Sequence, residues 1–243
     1  MNKTKPKITR LGNDIMSLDW SFGIEPKMHQ KILALADDLR TRHPQQIRDI
    51  ASGYQSLLVT FKNGFLNDDI HEEFRKIDLS RFDNLSVNTN RWFIPVYYHE
   101  SVGQDLKLLA EEKKMSTEDL IRSHSSVHYR IYFTGFLPGF PYLGGLPKLL
   151  HTPRKQTPAL SISAGSVGIG GAQTGIYPVN SPGGWHIIGK TPVRLFDIHK
   201  AEPVFLKAGD EIIFEPIDKD AYLQIKGAVN AGHYEIRKEL IHD

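Results

Sequence analysis

Apolar positions in the first third of the chain alternate between strand-like and helix-like spacing. Residues 8–11 and 15–20 have the pattern of short strands, and residues 54–61 have the apolar run of a buried strand. Apolar residues in 25–42 recur every three or four positions, which predicts an amphipathic helix. A second helix is predicted after Asn67, whose side chain can cap its first turn. The N-terminal part is therefore predicted to mix α and β structure.

A polar stretch at residues 80–90 lacks strong periodicity, so we place a domain boundary inside it. The predicted domains are residues 1–86 and residues 87–243. The second domain begins with a strand and two short helices, and Ser116 and Asp119 have the spacing of a capping box before the second helix. The remainder is mostly β, which favours a barrel or a tightly curved sheet and makes the fold class α+β. The predicted strands are residues 91–98, 127–134, 159–163, 184–188, 193–197 and 211–216, and the predicted helices are residues 104–114 and 117–123.

The composition is that of a globular protein. Apolar residues make up 40% and charged residues 24%, which excludes a disordered chain and a coiled coil. No apolar run approaches the ~20 residues of a membrane span, and no secretory signal pattern is present. The absence of cysteine excludes disulfides, a thiol nucleophile and thiolate metal ligands. We expect a cytoplasmic protein that does not associate with membranes.

Charge is distributed unevenly along the chain. The 77 residues between Asp119 and Asp197 contain no Asp or Glu but seven basic residues and four histidines. Such a segment predicts a surface that meets anions, either carboxylates or phosphates. Nucleic acid is a weaker interpretation, because adjacent basic residues occur in this segment only at Arg154 and Lys155.

Residues 134–192 hold 12 of the 20 glycines and 8 of the 14 prolines. Regular structure throughout is incompatible with that content, and long loops inside compact domains are usually functional. Within it, residues 173–178 and 181–185 combine tight turns with polar and aromatic side chains, which suits a small-molecule pocket. Arg154 is the natural bidentate partner for a carboxylate in such a pocket.

Three motif matches do not predict the chemistry they usually mark. Residues 184–191 match GxxxxGK[ST], but their interior is bulky and strand-like, unlike a phosphate-binding loop. Residues 164–168 approximate a nucleophile elbow around Ser166, yet no helix pattern follows them. His124 and His128 are four residues apart, but HExxH is absent and no third ligand is evident, so no metal site is predicted. His124 is interpreted as structural by default, although it could face the pocket.

The sequence resembles a known family most closely in residues 134–192. Residues 135–146 read GFLPGFPYLGGL, which is similar to the GFxPGFxYLxGL signature of the allophanate hydrolase subunit 1-like family. Further matches follow in the family's order at residues 153–154, 164–167, 173–178 and 181–185. The resemblance extends over essentially the whole chain and is most specific in 134–192.

The resemblance implies a small α/β N-terminal domain followed by a cyclophilin-like β-barrel. It also implies a component of an ATP-dependent 5-oxoprolinase, inactive alone, that helps convert 5-oxo-L-proline to L-glutamate. The implied partners are a carboxyltransferase-like C subunit and a LamB/YcsF-type A subunit, with ATP used by the complex and not necessarily bound by this chain. The alternative is an inhibitor that binds a sensor histidine kinase in sporulation-type signalling. Prolyl isomerisation is suggested by barrel analogy alone, and a fold does not determine a function.

The predicted site combines the family motifs with the chemistry of their side chains. Two positions, Ala159 and Lys190, differ from the arginines that are common in the family, which leaves the detailed substrate open. The predicted catalytic residues are Arg154, Gln173, Thr174 and His124. The predicted substrate-binding residues are Phe136, Pro138, Tyr142, Ser166, Tyr177, Ser181, Gly183, Gly184 and Trp185.

Overall fold

The computed structural model describes residues 4–84 and 88–242, which fall into two compact units. The first unit lies mostly within residues 1–87, and the second comprises Asn88–Ile241. The predicted domain boundary at residue 86 lies outside the described residues. Among the residues described, no helix combines the length and the apolar character needed to cross a membrane.

An antiparallel sheet and two helices form the first unit. Its elements are β1 (Lys7–Leu11), β2 (Ile15–Asp19), α1 (Pro26–Arg42), β3 (Ile47–Ser52), β4 (Ser56–Phe61) and α2 (Asp68–Arg75). The sheet order is β1-β2-β4-β3. Helix α1 buries Ile32, Leu35 and Leu39 along one stripe, as its spacing predicted. Asn67 Oδ1 accepts a hydrogen bond from the backbone N–H of Ile70 at 3.0 Å, which confirms the predicted cap of α2.

The second unit contains most of the strands. Its elements are β5 (Asn88–Tyr97), α3 (Leu106–Glu112), α4 (Thr117–Ser125), β6 (Tyr129–Thr134), β7 (Pro141–Gly144), β8 (Ala159–Ile162), β9 (Ser166–Gly170), β10 (Gln173–Ile176), β11 (Ser181–Gly183), β12 (His186–Lys190), β13 (Glu211–Ile217), α5 (Lys219–Asn230) and β14 (Lys238–His242). The cap of α4 is as predicted, since Ser116 Oγ accepts from the N–H of Asp119 at 3.0 Å.

Seven of these strands close into a barrel. Around the ring the order is β12, β9, β10, β7, β6, β13 and β5, and the ring closes where Lys190 of β12 pairs with Tyr97 of β5. The barrel interior is filled by apolar side chains such as Ile94, Ile131 and Ile169, so it is a packed core. The predicted α+β fold with a C-terminal barrel is confirmed.

The strand predicted at residues 193–197 is wrong. Val193 and Leu195 are buried and Arg194 is exposed, which produces the alternation of a strand. The chain there is nevertheless irregular and is not paired with a neighbouring strand. Its contacts are local: the N–H of Val193 donates to Thr191 Oγ1, and Arg194 forms an ion pair with Asp197. Alternating burial therefore reflects local packing here and does not identify a strand.

Candidate functional site

The indole of Trp185 lies against two glycines on the outer surface of the barrel. A Cβ atom placed on Gly170 of β9 would lie 2.5 Å from Trp185 Cδ1, and one on Gly175 of β10 would lie 3.0 Å from Trp185 Cζ3. Any larger residue at these positions would displace the ring. The two glycines therefore leave room for the Trp185 ring to pack against the strands, and Trp185 is only 5% exposed.

Three further aromatic rings pack with Trp185. We call Phe140, Tyr142, Tyr177 and Trp185 the outer aromatic cluster. Phe140 stands edge-on to Tyr177 at 5.2 Å and to Trp185 at 5.3 Å between centroids. Tyr142 lies 5.0 Å from Phe140. Edge-to-face packing of this kind fixes ring orientations, so the cluster forms a rigid wall outside the barrel core.

Arg154 lies at the edge of the outer aromatic cluster. Its guanidinium carbon is 5.9 Å from the centre of the Trp185 ring, and its side chain is exposed. No other described residue forms a hydrogen bond or an ion pair with it. An unpaired guanidinium beside an aromatic ring can bind a carboxylate through two parallel hydrogen bonds.

Asp105 holds the loop that carries Arg154. One oxygen of Asp105 accepts from Lys155 Nζ and the other from the N–H of Ile187, each at 2.7 Å. The N–H of Lys155 also donates to the carbonyl of Gly184 at 2.8 Å. These bonds set Arg154 beside Gly184 and Trp185. The sequence prediction did not assign Asp105 to the site, since it lies within the predicted helix at residues 104–114.

The hydroxyl of Tyr177 lies close to Gly183, Trp185 and Arg154. Burial raises its pKa, and the backbone N–H of Trp185 and the positive charge of Arg154 partly offset that effect. Gly183 packs against the hydroxyl oxygen so closely that a Cβ there would collide with it. Tyr177 is therefore a neutral donor beside Arg154.

Gln173 stands on the same surface as Trp185. It is paired with Gly170 across β9 and β10, and side chains on a strand alternate between faces. Gln173 and Gly175 thus share the outer face, while Thr174 between them points into the barrel. The Gln173 amide has no hydrogen bond with another described residue, which leaves it able to bind an amide or a carbonyl.

His124 and Thr174 lie inside the barrel. Both are fully buried, and His124 Nε2 is 2.9 Å from Thr174 Oγ1 while its Nδ1 is 2.8 Å from the hydroxyl of Tyr98. Because Thr174 donates to the carbonyl of Gly168, its oxygen accepts from Nε2–H and the Tyr98 hydroxyl donates to Nδ1. Burial lowers the pKa of His124 to about 3, so the ring is neutral. In this arrangement neither side chain can touch a molecule outside the barrel, so their burial does not fit a catalytic role in direct contact with substrate.

Three other predicted residues make no described contact with Arg154. Ser166 begins β9, about 13 Å along the strand from Gly170 at ~3.3 Å per residue, and its Oγ is 3.3 Å from Ser163 Oγ. Ser181 is buried in β11, and its hydroxyl has no partner among the described residues. Pro138 is exposed in the loop before β7.

Phe136 lies in the same loop as Pro138, and its φ is +66° although it is not glycine. Its side chain is 63% exposed and touches Phe140 edge-on. This positive φ is a conformation that residues other than glycine rarely adopt, and it leaves the Phe136 ring exposed at the edge of the outer aromatic cluster.

Two of the motif matches lack the structure that their motifs require. Lys190 belongs to β12 in the barrel wall, so residues 184–191 do not form a phosphate-binding loop. Ser166 is followed by a strand and not by the helix of a nucleophile elbow. Within the described parts of the chain, no group of three or more His, Cys, Asp or Glu side chains is arranged to hold a metal ion.

Comparison with known proteins gives consistent matches. The family model described as carboxyltransferase domain, subdomain C and D, matches residues 6–206. A protein named as the B subunit of 5-oxoprolinase from Escherichia coli O157:H7 is 51% identical over 51% of this chain and 56% of its own length. One of the same name from Haemophilus influenzae is 40% identical over 77% of this chain and 87% of its own. The match thus spans little more than half of the E. coli relative.

A solved structure supports the fold. The crystal structure of the Kluyveromyces lactis urea amidolyase superposes with a TM-score of 0.80 at 16% identity, covering 100% of this chain and 17% of that one. At this identity the likeness concerns the fold alone.

Proposed function

The chain belongs to the carboxyltransferase subdomain C and D family, and from this membership we propose that it is the B subunit of an ATP-dependent 5-oxoprolinase. In this proposal the chain is inactive alone and helps convert 5-oxo-L-proline to L-glutamate in the cytoplasm. A carboxyltransferase-like C subunit and a LamB/YcsF-type A subunit complete the enzyme, and the complex uses ATP.

The observation that carries the proposal is the unpaired Arg154 beside Trp185 and the neutral hydroxyl of Tyr177. 5-Oxoproline is a small ring with one carboxylate and one lactam amide. Arg154 would bind the carboxylate, and the outer aromatic cluster would cover the ring. Gln173 and Tyr177 would donate to the lactam carbonyl, which stabilises negative charge on that oxygen when the ring opens.

The buried pair His124 and Thr174 would stabilise the strand that carries Gln173. Thr174 follows Gln173 directly on β10, and its bonds to His124 and Gly168 fix that strand. A rigid strand keeps the Gln173 amide at one position, which is how residues remote from a substrate contribute to its orientation.

The proposal predicts a specific defect in Arg154→Ala. A hydrogen bond to a charged group contributes about 1.5–3 kcal/mol to the free energy of binding. At 1.4 kcal/mol per factor of ten, its loss weakens binding by roughly 10- to 150-fold. We therefore expect the KM of the reconstituted complex for 5-oxoproline to rise by that factor. Because Arg154 is exposed and makes no ion pair with a described residue, the melting temperature should stay unchanged.

Two further variants complete the test. Arg154→Lys keeps the charge but loses the paired donors, so its KM should lie between those of the wild type and Arg154→Ala. Arg122→Ala removes an exposed arginine that pairs with Asp119 on α4 and should leave the KM unchanged. Wild-type KM and kcat in Arg154→Ala would contradict the proposed substrate orientation.

A further inference from the structure

A cavity of about 190 Å³ lies between α5 and the barrel wall. Lys190 of β12 and Lys226 of α5 both line it, together with Tyr222 and Asn230. No acidic residue of the described chain is among its lining residues. It shares no lining residue with the Arg154 site, so it is a separate feature of the molecule.

The face that α5 turns toward this cavity is polar where an amphipathic helix would be apolar. Tyr222, Lys226 and Asn230 are four residues apart and therefore lie on one face. Leu223, by contrast, is 53% exposed. Tyr222 is the buried member of the cavity-lining face, whereas Lys226 and Asn230 are exposed and lie at the open edge of the cavity. The position of Lys226 thus places an ammonium group at the mouth of the cavity.

Neither lysine forms an ion pair with a carboxylate of the described residues. Lys190 Nζ donates to the hydroxyl of Ser163 at 2.8 Å, and Lys226 Nζ lies 6.0 Å from the ring of Tyr222. Burial and the charge of Lys226 lower the pKa of Lys190, which is consistent with two cations near one another. Arg194 also lines the cavity, but it pairs with Asp197 at 3.3 Å. Two close cations repel, and an anion between them would lower the free energy.

We propose that this cavity binds a phosphate group between Lys190 and Lys226. The Asn230 amide has no hydrogen bond with another described residue and would supply a further donor, as would the hydroxyl of Tyr222. Two ammonium groups match a phosphate better than they match a carboxylate, because a phosphate carries between one and two negative charges at neutral pH and a carboxylate carries one. Strand β12 here acts through its side chains and not as a phosphate-binding loop.

A neighbouring cavity leaves space for the rest of a phosphate ester. It has a volume of about 510 Å³ and shares Arg194 and Asn230 with the smaller cavity. Trp92, Phe205 and Tyr234 are among its other lining residues. Free phosphate and the phosphate of a nucleotide share the same recognition chemistry, and separate titrations with each distinguish these two sources.

The test is a calorimetric titration of the full chain with inorganic phosphate and, separately, with ATP at constant ionic strength. We expect saturable binding by the wild type and at least tenfold weaker binding by Lys226→Met and Lys190→Met. Lys226 is exposed, so its variant should fold normally even if Lys190→Met does not. Lys148→Met removes an exposed lysine that does not line the cavity and is the matched control.

The result also identifies the source of the phosphate. Tighter binding of ATP than of phosphate would indicate an ester that extends into the larger cavity, and equal binding would indicate free phosphate. No saturable binding, wild-type affinity in Lys226→Met, or equally tight binding of acetate would overturn the inference. The Arg154 variants leave this cavity intact, so their outcome is independent of this test.

Discussion

Replacing Asp105 with alanine is expected to loosen the loop that carries Arg154. Asp105 is 8% exposed, and its two oxygens accept from Lys155 Nζ and from the N–H of Ile187 at 2.7 Å each. Alanine would leave a buried backbone N–H without an acceptor and Lys155 without its carboxylate. Both losses destabilise the folded state.

The magnitude follows from the type and burial of these bonds. A hydrogen bond to a charged group contributes about 1.5–3 kcal/mol, and removing one partner of a buried ion pair costs about 3–5 kcal/mol. The side chains of Lys155 and Asp105 keep 22% and 11% exposure, so water replaces part of the interaction. We expect the free energy of unfolding to fall by about 2–4 kcal/mol. At ~2–4 °C per kcal/mol, the melting temperature should fall by roughly 4–16 °C.

Urea unfolding followed by tryptophan fluorescence measures this change. Asp105→Asn retains an acceptor for Ile187 and should lose about half as much stability. The losses of stability in Asp105→Ala and Lys155→Met should not add in the double variant, because both substitutions break the same ion pair. Glu202→Ala is the control, since its contact with Lys207 is exposed and spans 3.8 Å. A change of less than ~0.5 kcal/mol in Asp105→Ala would refute the reasoning.

Three further substitutions test the barrel and its outer surface. The folded protein keeps His124 neutral down to about pH 3, whereas the unfolded chain takes up a proton below its ordinary pKa of 6.5. The free energy of unfolding should therefore fall from pH 6.5 toward 3 by up to ~1.4 kcal/mol per pH unit, and His124→Gln should flatten that slope in urea titrations; equal slopes would contradict the buried neutral ring. Gly170→Ala should push Trp185 outward, cost ~1–3 kcal/mol and shift tryptophan emission to longer wavelength. Gly227→Ala faces open space on α5 and should raise stability by ~0.5–1 kcal/mol in the same melts, so the same sign for both glycine substitutions would refute the packing argument.

Elements that local sequence determines were predictable. Helix α1 and strand β4 follow from apolar spacing, and the caps at Asn67 and Ser116 follow from side chains that bond within three residues. These features require no information about distant parts of the chain. Their boundaries differ from the predicted ones by only a few residues.

Strands built from glycine and proline were not predictable. Strands β7, β9 and β10 were missed, because PYLG, SVGIG and QTGI are too short and too rich in glycine or proline to show a period of two. They become strands through pairing around the barrel, which is a property of the closed ring. Helix α5 was also missed, since the polar residues Lys226 and Asn230 follow Tyr222 at helical spacing and interrupt its apolar pattern.

The site was predictable in its residue types but not in its orientations. Arg154, Tyr177 and Trp185 come together as the motifs suggested. Gln173 and Thr174 were both assigned to the pocket, yet neighbours on one strand face opposite ways, so Thr174 is in the core. Which of the two faces outward depends on the register of β10 against β9, and sequence motifs do not contain that register.

The most direct test is 5-oxoproline-dependent ADP release by a mixture of the three purified subunits, with and without this chain. The proposed function predicts release, with stoichiometric glutamate, only when this chain is present. Equal release without it, or none with it while the other subunits are shown to be folded and assembled, would contradict the proposal and favour the kinase-binding alternative.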